Sequence, residues 1–162
     1  MNSLCFDFVA RQKLGGTHLT YFIMKQLPVL PPKAFLRDCL WNPRVTLADW
    51  VCERVAELTL TADDMMSFGD DLGRNVAPSW DEERRFRLRC ELDAAFFHLF
   101  GLGRSDVEQV IGTFPIVERK DRARFGTFRT RDTVLRFFDD QARATLPESV
   151  GAESSIQERS DG

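Results

Sequence analysis

Residues 79–102 read SWDEERRFRLRCELDAAFFHLFGL, and the fold turns on how this stretch is read. Leu88, Leu92, Ala95, Phe96 and Leu99 recur at the three-to-four-residue spacing of one helix face. A helix from Asp81 to Phe100 with that face buried is therefore expected. Ser79, with Glu82 three residues on, has the form of a capping box, which satisfies the free N–H groups at a helix start. Gly101 followed by Leu102 is a helix stop, because glycine enters the left-handed conformation without steric cost. The same helix carries Arg84, Arg85, Arg87 and Arg89. Three of them have a carboxylate four residues away, in Asp81–Arg85, Glu83–Arg87, Arg87–Glu91 and Arg89–Asp93, so a salt-bridged, solvated face is expected.

Working outward, Thr46-Leu47-Ala48-Asp49 is a second capping box, followed by Leu47, Trp50, Val51, Val55 and Leu58 at helical spacing. Thr61 opens a short helix holding Met65, Met66, Phe68 and Leu72 and closing at Gly73. Asn2 to Lys13 forms a helix ended by Gly15-Gly16, and His18 to Gln26 a short apolar helix or strand-to-helix turn. Pro28, Pro31 and Pro32 then force extended chain, and Trp41-Asn42-Pro43 reads as irregular. Downstream, Ser105 with Glu108 starts a helix through Val107, Val110 and Ile111 to Phe114-Pro115. Arg119 to Arg131 reads as a polar, basic connector. Thr130 caps a last helix with Val134, Leu135, Phe137, Phe138 and Ala142. From Pro147 the chain is rich in Ser, Glu and Gly and is expected to be disordered. The body is thus mainly α with little strand.

At 162 residues there is room for one domain or a piece of a larger one, and 43% hydrophobic with 29% charged residues is ordinary for a globular protein. The net charge of −3 comes wholly from the tail, where Glu148, Glu153, Glu158 and Asp161 face Arg159 alone. The body is neutral, so any contact with nucleic acid must rest on local clusters. No apolar run is long enough to span a membrane, and the first residues lack a signal peptide's basic start; a cytoplasmic location is expected. Cys5, Cys39, Cys52 and Cys90 are far apart, so buried, reduced thiols are expected and a metal site is not. His18 and His98 have no second ligand at helical spacing, and His98, among Phe96, Phe97, Leu99 and Phe100, reads as a packed structural histidine.

No spacing in the chain builds an active site. There is no Gly-rich strand-to-helix fingerprint for a nucleotide or S-adenosylmethionine. Asn42-Pro43 is followed by Arg44 and lacks the second proline and aromatic that clamp a flipped base. Asp63-Asp64 and Asp70-Asp71 sit at helix ends, where the dipole accounts for them. The remaining candidate site is a DNA contact. Arg119, Lys120, Arg122, Arg124, Arg129 and Arg131 are opposed within their stretch by Asp121 alone, with Phe125 and Phe128 interleaved. Arginine makes forked phosphate contacts and exposed Phe stacks on bases; the alternative is a surface loop whose Phe side chains tuck into the core. Arg11 and Lys13, beside the Gly15-Gly16 turn, are a further candidate.

Three stretches also carry a resemblance. Asn2-Ser3, Phe6-Asp7, Arg11, Lys13, Gly15-Gly16, Leu19, Phe22 and Gln26-Leu27-Pro28 resemble the end of a target-recognition domain in large type IIG-like adenine-N6 DNA methyltransferases. Trp80-Asp81, Arg84, Leu88-Arg89, Glu91-Leu92-Asp93-Ala94-Ala95, Leu99 and Gly101-Leu102 look like the helix that trails this domain in methylases of phage-defence systems such as BREX and DISARM. Phe114-Pro115-Ile116-Val117, Lys120-Asp121, Gly126 and Thr130 continue the pattern, so that it spans roughly residues 2–140. The resemblance implies a mixed α/β remnant of the recognition domain over 1–45 and a helical C-terminal region over 46–146, and composition adds the acidic tail over 147–162. It implies a parent that methylates double-stranded DNA with S-adenosylmethionine in restriction-modification or phage defence. The family's cofactor and base-clamping motifs lie upstream of the matched part. The chain is therefore expected to be a truncated, non-catalytic, DNA-contacting piece, partnered by a methyltransferase domain or subunit. The alternative is a helical protein-interaction module that docks through exposed Phe and Met side chains onto another subunit of a defence system.

Overall fold

A computed structural model describes residues 3–16, 18–71, 73 and 80–145. In chain order these form α1 (Leu4–Lys13), α2 (Tyr21–Met24), β1 (Asp38–Cys39), β2 (Asn42–Thr46), α3 (Leu47–Thr59), α4 (Met66–Asp71), α5 (Glu82–Leu99), α6 (Arg104–Gly112), α7 (Pro115–Phe125) and α8 (Arg129–Thr145). The fold is mainly α, with one antiparallel two-stranded hairpin among the described residues. None of the described helices is long and apolar enough to cross a membrane.

The long helix α5 is buried from two directions. Cys90, Ala94 and Phe97 enter the main core, with Cys5 of α1, Val107, Val110 and Ile111 of α6, Phe114, Phe128, and Val134, Leu135 and Phe138 of α8. Ala95 enters a smaller core with Cys39, Leu47 and Trp50, flanked by Trp41, Leu92 and Leu99. A helix gripped on two sides does not follow a single stripe. Phe97, absent from the expected stripe, is fully buried, whereas Leu92, Phe96 and Leu99 are only half-buried. Each fully buried side chain of this size contributes about 1.5–3 kcal/mol.

Local chemistry sets the helix ends. Thr46 Oγ1 accepts from the Asp49 N–H at 3.1 Å and donates to its carboxylate at 2.7 Å, so Thr46 caps α3 as expected, while Asp49 takes the Thr46 hydroxyl rather than its backbone N–H. Asp81 caps α5 by accepting from the Arg84 N–H at 3.0 Å; the expected cap at Ser79 lies outside the described residues, as do Leu72 and the tail. Ser105 is inside α6, whose N-cap is Gly103 and whose Asp106 accepts the Gly103 N–H at 3.1 Å. Trp41-Asn42-Pro43 is not irregular but belongs to the hairpin. A two-stranded sheet has only edge strands, so Pro43 does no harm there. Trp41 meets Trp50 edge-on at 5.2 Å. The segment around Tyr21–Met24 is helical but leaves Leu19 and Phe22 exposed. Cys52 is exposed, contrary to expectation, while Cys5, Cys39 and Cys90 are buried.

Candidate nucleic-acid interface

The basic stretch from Arg119 to Arg131 is a helical corner, not a connector. Pro115 sits at the first turn of α7, where its missing N–H costs nothing. Asp121 alone among the residues of α7 is buried, which is why no apolar stripe betrayed the helix. Gly126 ends it in the left-handed conformation at φ 76°. Asp121 reaches across the corner and accepts the Thr130 N–H at 2.6 Å, capping α8. Thr130 is therefore capped rather than capping. Phe128 is buried at 2% exposure, so of the two interleaved aromatics only Phe125 is open.

The expected counter-ions along α5 are replaced by partners distant in sequence. Arg124 donates to Glu82 at 2.9 Å and Arg129 pairs with Glu83. Arg84 donates to both oxygens of Glu57 at 2.7 and 2.9 Å, which holds that carboxyl below its usual range. The Arg124 hydrogen bond lowers Glu82 in the same way. Arg54 pairs with Glu91 at 2.9 Å, and Arg85 donates to the Leu58 carbonyl at 2.7 Å. None of the four expected pairs along the helix forms. Within the corner, Arg122 pairs with Glu118 at 2.8 Å and Arg131 with Asp132 at 2.9 Å. Arg119 and Lys120 are exposed and meet no carboxylate among the described residues.

The other basic candidate adjoins this one. Arg11 pairs with Asp7 at 2.5 Å and lies over the Phe114 ring at 4.5 Å, which brings the end of α1 to the start of α7. Lys13, two residues further on, is exposed. A cleft of about 910 Å³ opens between α1, α5, α7 and the start of α8. Arg89, Lys120, Arg124 and Arg129 line it, but Asp7, Glu82, Glu83, Asp93 and Asp121 line it too. The cleft thus has no positive excess. Arg119, Arg122 and Arg131 lie outside it.

Asp93 was expected to pair with Arg89 on a solvated face. Instead its carboxylate accepts the Leu4 N–H at 2.7 Å and holds the first turn of α1 against α5. Burial pushes its pKa up to about 7, against the smaller opposing effects of that hydrogen bond and of Arg89. Only the apolar neighbours Leu92, Ala94 and Ala95 hinted at this in the sequence. Burial likewise raises the thiols of Cys5 to about 11 and Cys90 to about 12, which leaves them unreactive. His98 stacks on Phe138 with ring centroids 3.8 Å apart, its Nε2 lies 2.9 Å from the Phe138 carbonyl, and burial lowers its pKa.

Gly15-Gly16 follows a helix rather than a strand, and Asn42-Pro43 opens β2, where it is bonded into the hairpin. No group of three or more potential metal ligands occurs among the described residues. Set against known protein families, curated proteins and solved structures, the chain matches none.

Proposed function

We propose that the chain is the non-catalytic, DNA-contacting C-terminal part of an adenine-specific DNA methyltransferase of a restriction-modification or phage-defence system. It works in the cytoplasm on double-stranded DNA, beside a methyltransferase domain or subunit that binds S-adenosylmethionine. One observation carries the reading: residues of the resemblance, scattered along the sequence, meet in space. Asp7, Arg11 and Phe114 form one contact. Asp93 receives the N–H that follows Ser3, and Asp121, Gly126 and Thr130 build the α7–α8 corner. The pattern thus coincides with the joints that bring the end of α1 to α7. Arg119 and Lys120 need give up no internal partner to meet phosphate, and the pairs holding Arg11 and Arg122 are exposed and readily exchanged.

Calorimetry with S-adenosylmethionine, a tritiated-methyl transfer assay and a duplex-binding titration test this. The chain alone should bind duplex DNA, yet neither bind the cofactor nor transfer methyl groups. Cofactor binding, turnover, or failure to bind duplex overturns the reading. A second reading, docking onto another protein subunit, is favoured by the exposed Leu19, Tyr21, Phe22, Met24, Val29, Leu36 and Leu40, which crowd one short stretch.

A further inference from the structure

A groove of about 660 Å³ runs between α1, α3, α5 and the extended Pro28-Val29-Leu30 segment. Its floor is one stripe of α5 and its cap: Arg85, Arg89, Leu92, Phe96 and Phe100. At the helical rise this stripe is about 22 Å long, or some four turns. Its apolar side chains are unfinished core. Leu92, Phe96 and Phe100 are half-buried, Val55 on the α3 wall is 45% exposed and Val29 is 65% exposed. Contiguous apolar surface of this kind marks an interaction site.

The polar groups are gathered at the Arg85 end. Arg89 has no carboxylate partner among the described residues, and Arg85 spends its hydrogen bond on a neutral carbonyl. The one carboxylate in the groove, Asp93, is taken by the Leu4 N–H. The floor is therefore apolar, with two arginines against one carboxylate at that end. The walls on α1, α3 and α5 have their backbone groups bonded internally and offer no ladder to an added strand; only the short Pro28-Val29-Leu30 edge is extended.

We propose that this groove receives an amphipathic helix from a partner polypeptide, its apolar face on Leu92, Phe96 and Phe100 and an acidic side chain over Arg89. The site belongs to the protein-docking reading; it shares Arg89 with the cleft beside α7 but includes none of the basic residues of α7, so its failure would leave the DNA reading untouched. The match is one of charge and length: an apolar stripe of about four turns carrying carboxylates toward one end.

Two synthetic helical peptides of about 15 residues probe the full chain, one with a Leu face and Glu elsewhere, the other with a Leu face and Lys. The Leu/Glu peptide should bind saturably and shift the amide signals of Arg89, Leu92 and Phe96. Arg89→Glu should weaken it by roughly tenfold or more. Val55→Glu, at an exposed wall position, should weaken it too, with circular dichroism and melting temperature of both variants unchanged. Equal binding of the two peptides, no binding of the Leu/Glu peptide, or shifts elsewhere would overturn the proposal. Self-association abolished by Arg89→Glu would give the groove to a second copy, and saturable binding of dodecanoate without the peptide would give it to an apolar acid; either also overturns it.

Discussion

Replacing Asp93 with Asn tests whether the joint between α1 and α5 is held by a neutral or a charged group. The carboxylate that accepts the Leu4 N–H has its pKa raised from an ordinary 3.8 to about 7, chiefly by burial. The folded chain therefore binds this proton more tightly than the unfolded chain. Below the unfolded pKa both states hold the proton and the contribution to stability is complete. As pH rises toward 7 the unfolded state releases the proton first, and stability is lost until the folded state also ionises. At about 1.4 kcal/mol per pH unit the full loss is on the order of 4 kcal/mol. Asn offers the same oxygen to Leu4 with nothing to ionise. Asp93→Asn should match the wild type within about 1 kcal/mol near pH 4 and exceed it by on the order of 2–4 kcal/mol at pH 8. Glu57 and Glu82, lowered by their arginines, lose stability as pH falls, but they do so in both proteins and cancel in the difference. Urea unfolding at a series of pH values reads this out. A variant less stable than wild type at pH 8, or a difference that ignores pH, would refute the reasoning and make Asp93 an ionised partner of Arg89.

Other outcomes follow from the packing. Phe97→Ala should cost about 3–5 kcal/mol in urea unfolding, and Phe96→Ala clearly less, because only Phe97 is fully enclosed. Equal costs would contradict the two-sided burial of α5. Asp121→Ala should cost about 1–2 kcal/mol and speed hydrogen exchange at the Thr130 amide, with Asp121→Asn recovering part of the loss. An unchanged exchange rate would show that α8 is capped by something else.

Much of the helical framework could be read from the sequence because its signals are local. Thr46 with Asp49 states a helix start within four residues, and Thr46 caps α3 there. Gly101, at φ 73°, ends α5 where a left-handed residue is needed. What escaped depends on partners distant in sequence. α7 shows no apolar stripe because its inward position is Asp121, a capping carboxylate rather than a hydrophobe. Pro43 argued against a strand, yet an edge strand tolerates it. The arginines of α5 had plausible partners four residues away. Its carboxylates were instead drawn to Arg54, Arg124 and Arg129, on helices that fold against it. For the candidate DNA contacts, the sequence did not show that Arg11, Arg122, Arg124, Arg129 and Arg131 are already paired with carboxylates.

The most direct test of the DNA reading is the salt dependence of duplex binding. A labelled duplex is titrated with the chain and with the Arg119→Ala/Lys120→Ala variant, from about 50 to 200 mM salt. Wild-type affinity should fall steeply, with a log-log slope of about −0.9 for each phosphate neutralised. The double variant should flatten that slope by nearly two and weaken binding to all sequences alike, with the melting temperature unchanged because both side chains are exposed. Wild-type binding that ignores salt, or a double variant with the same slope as wild type, would contradict the account.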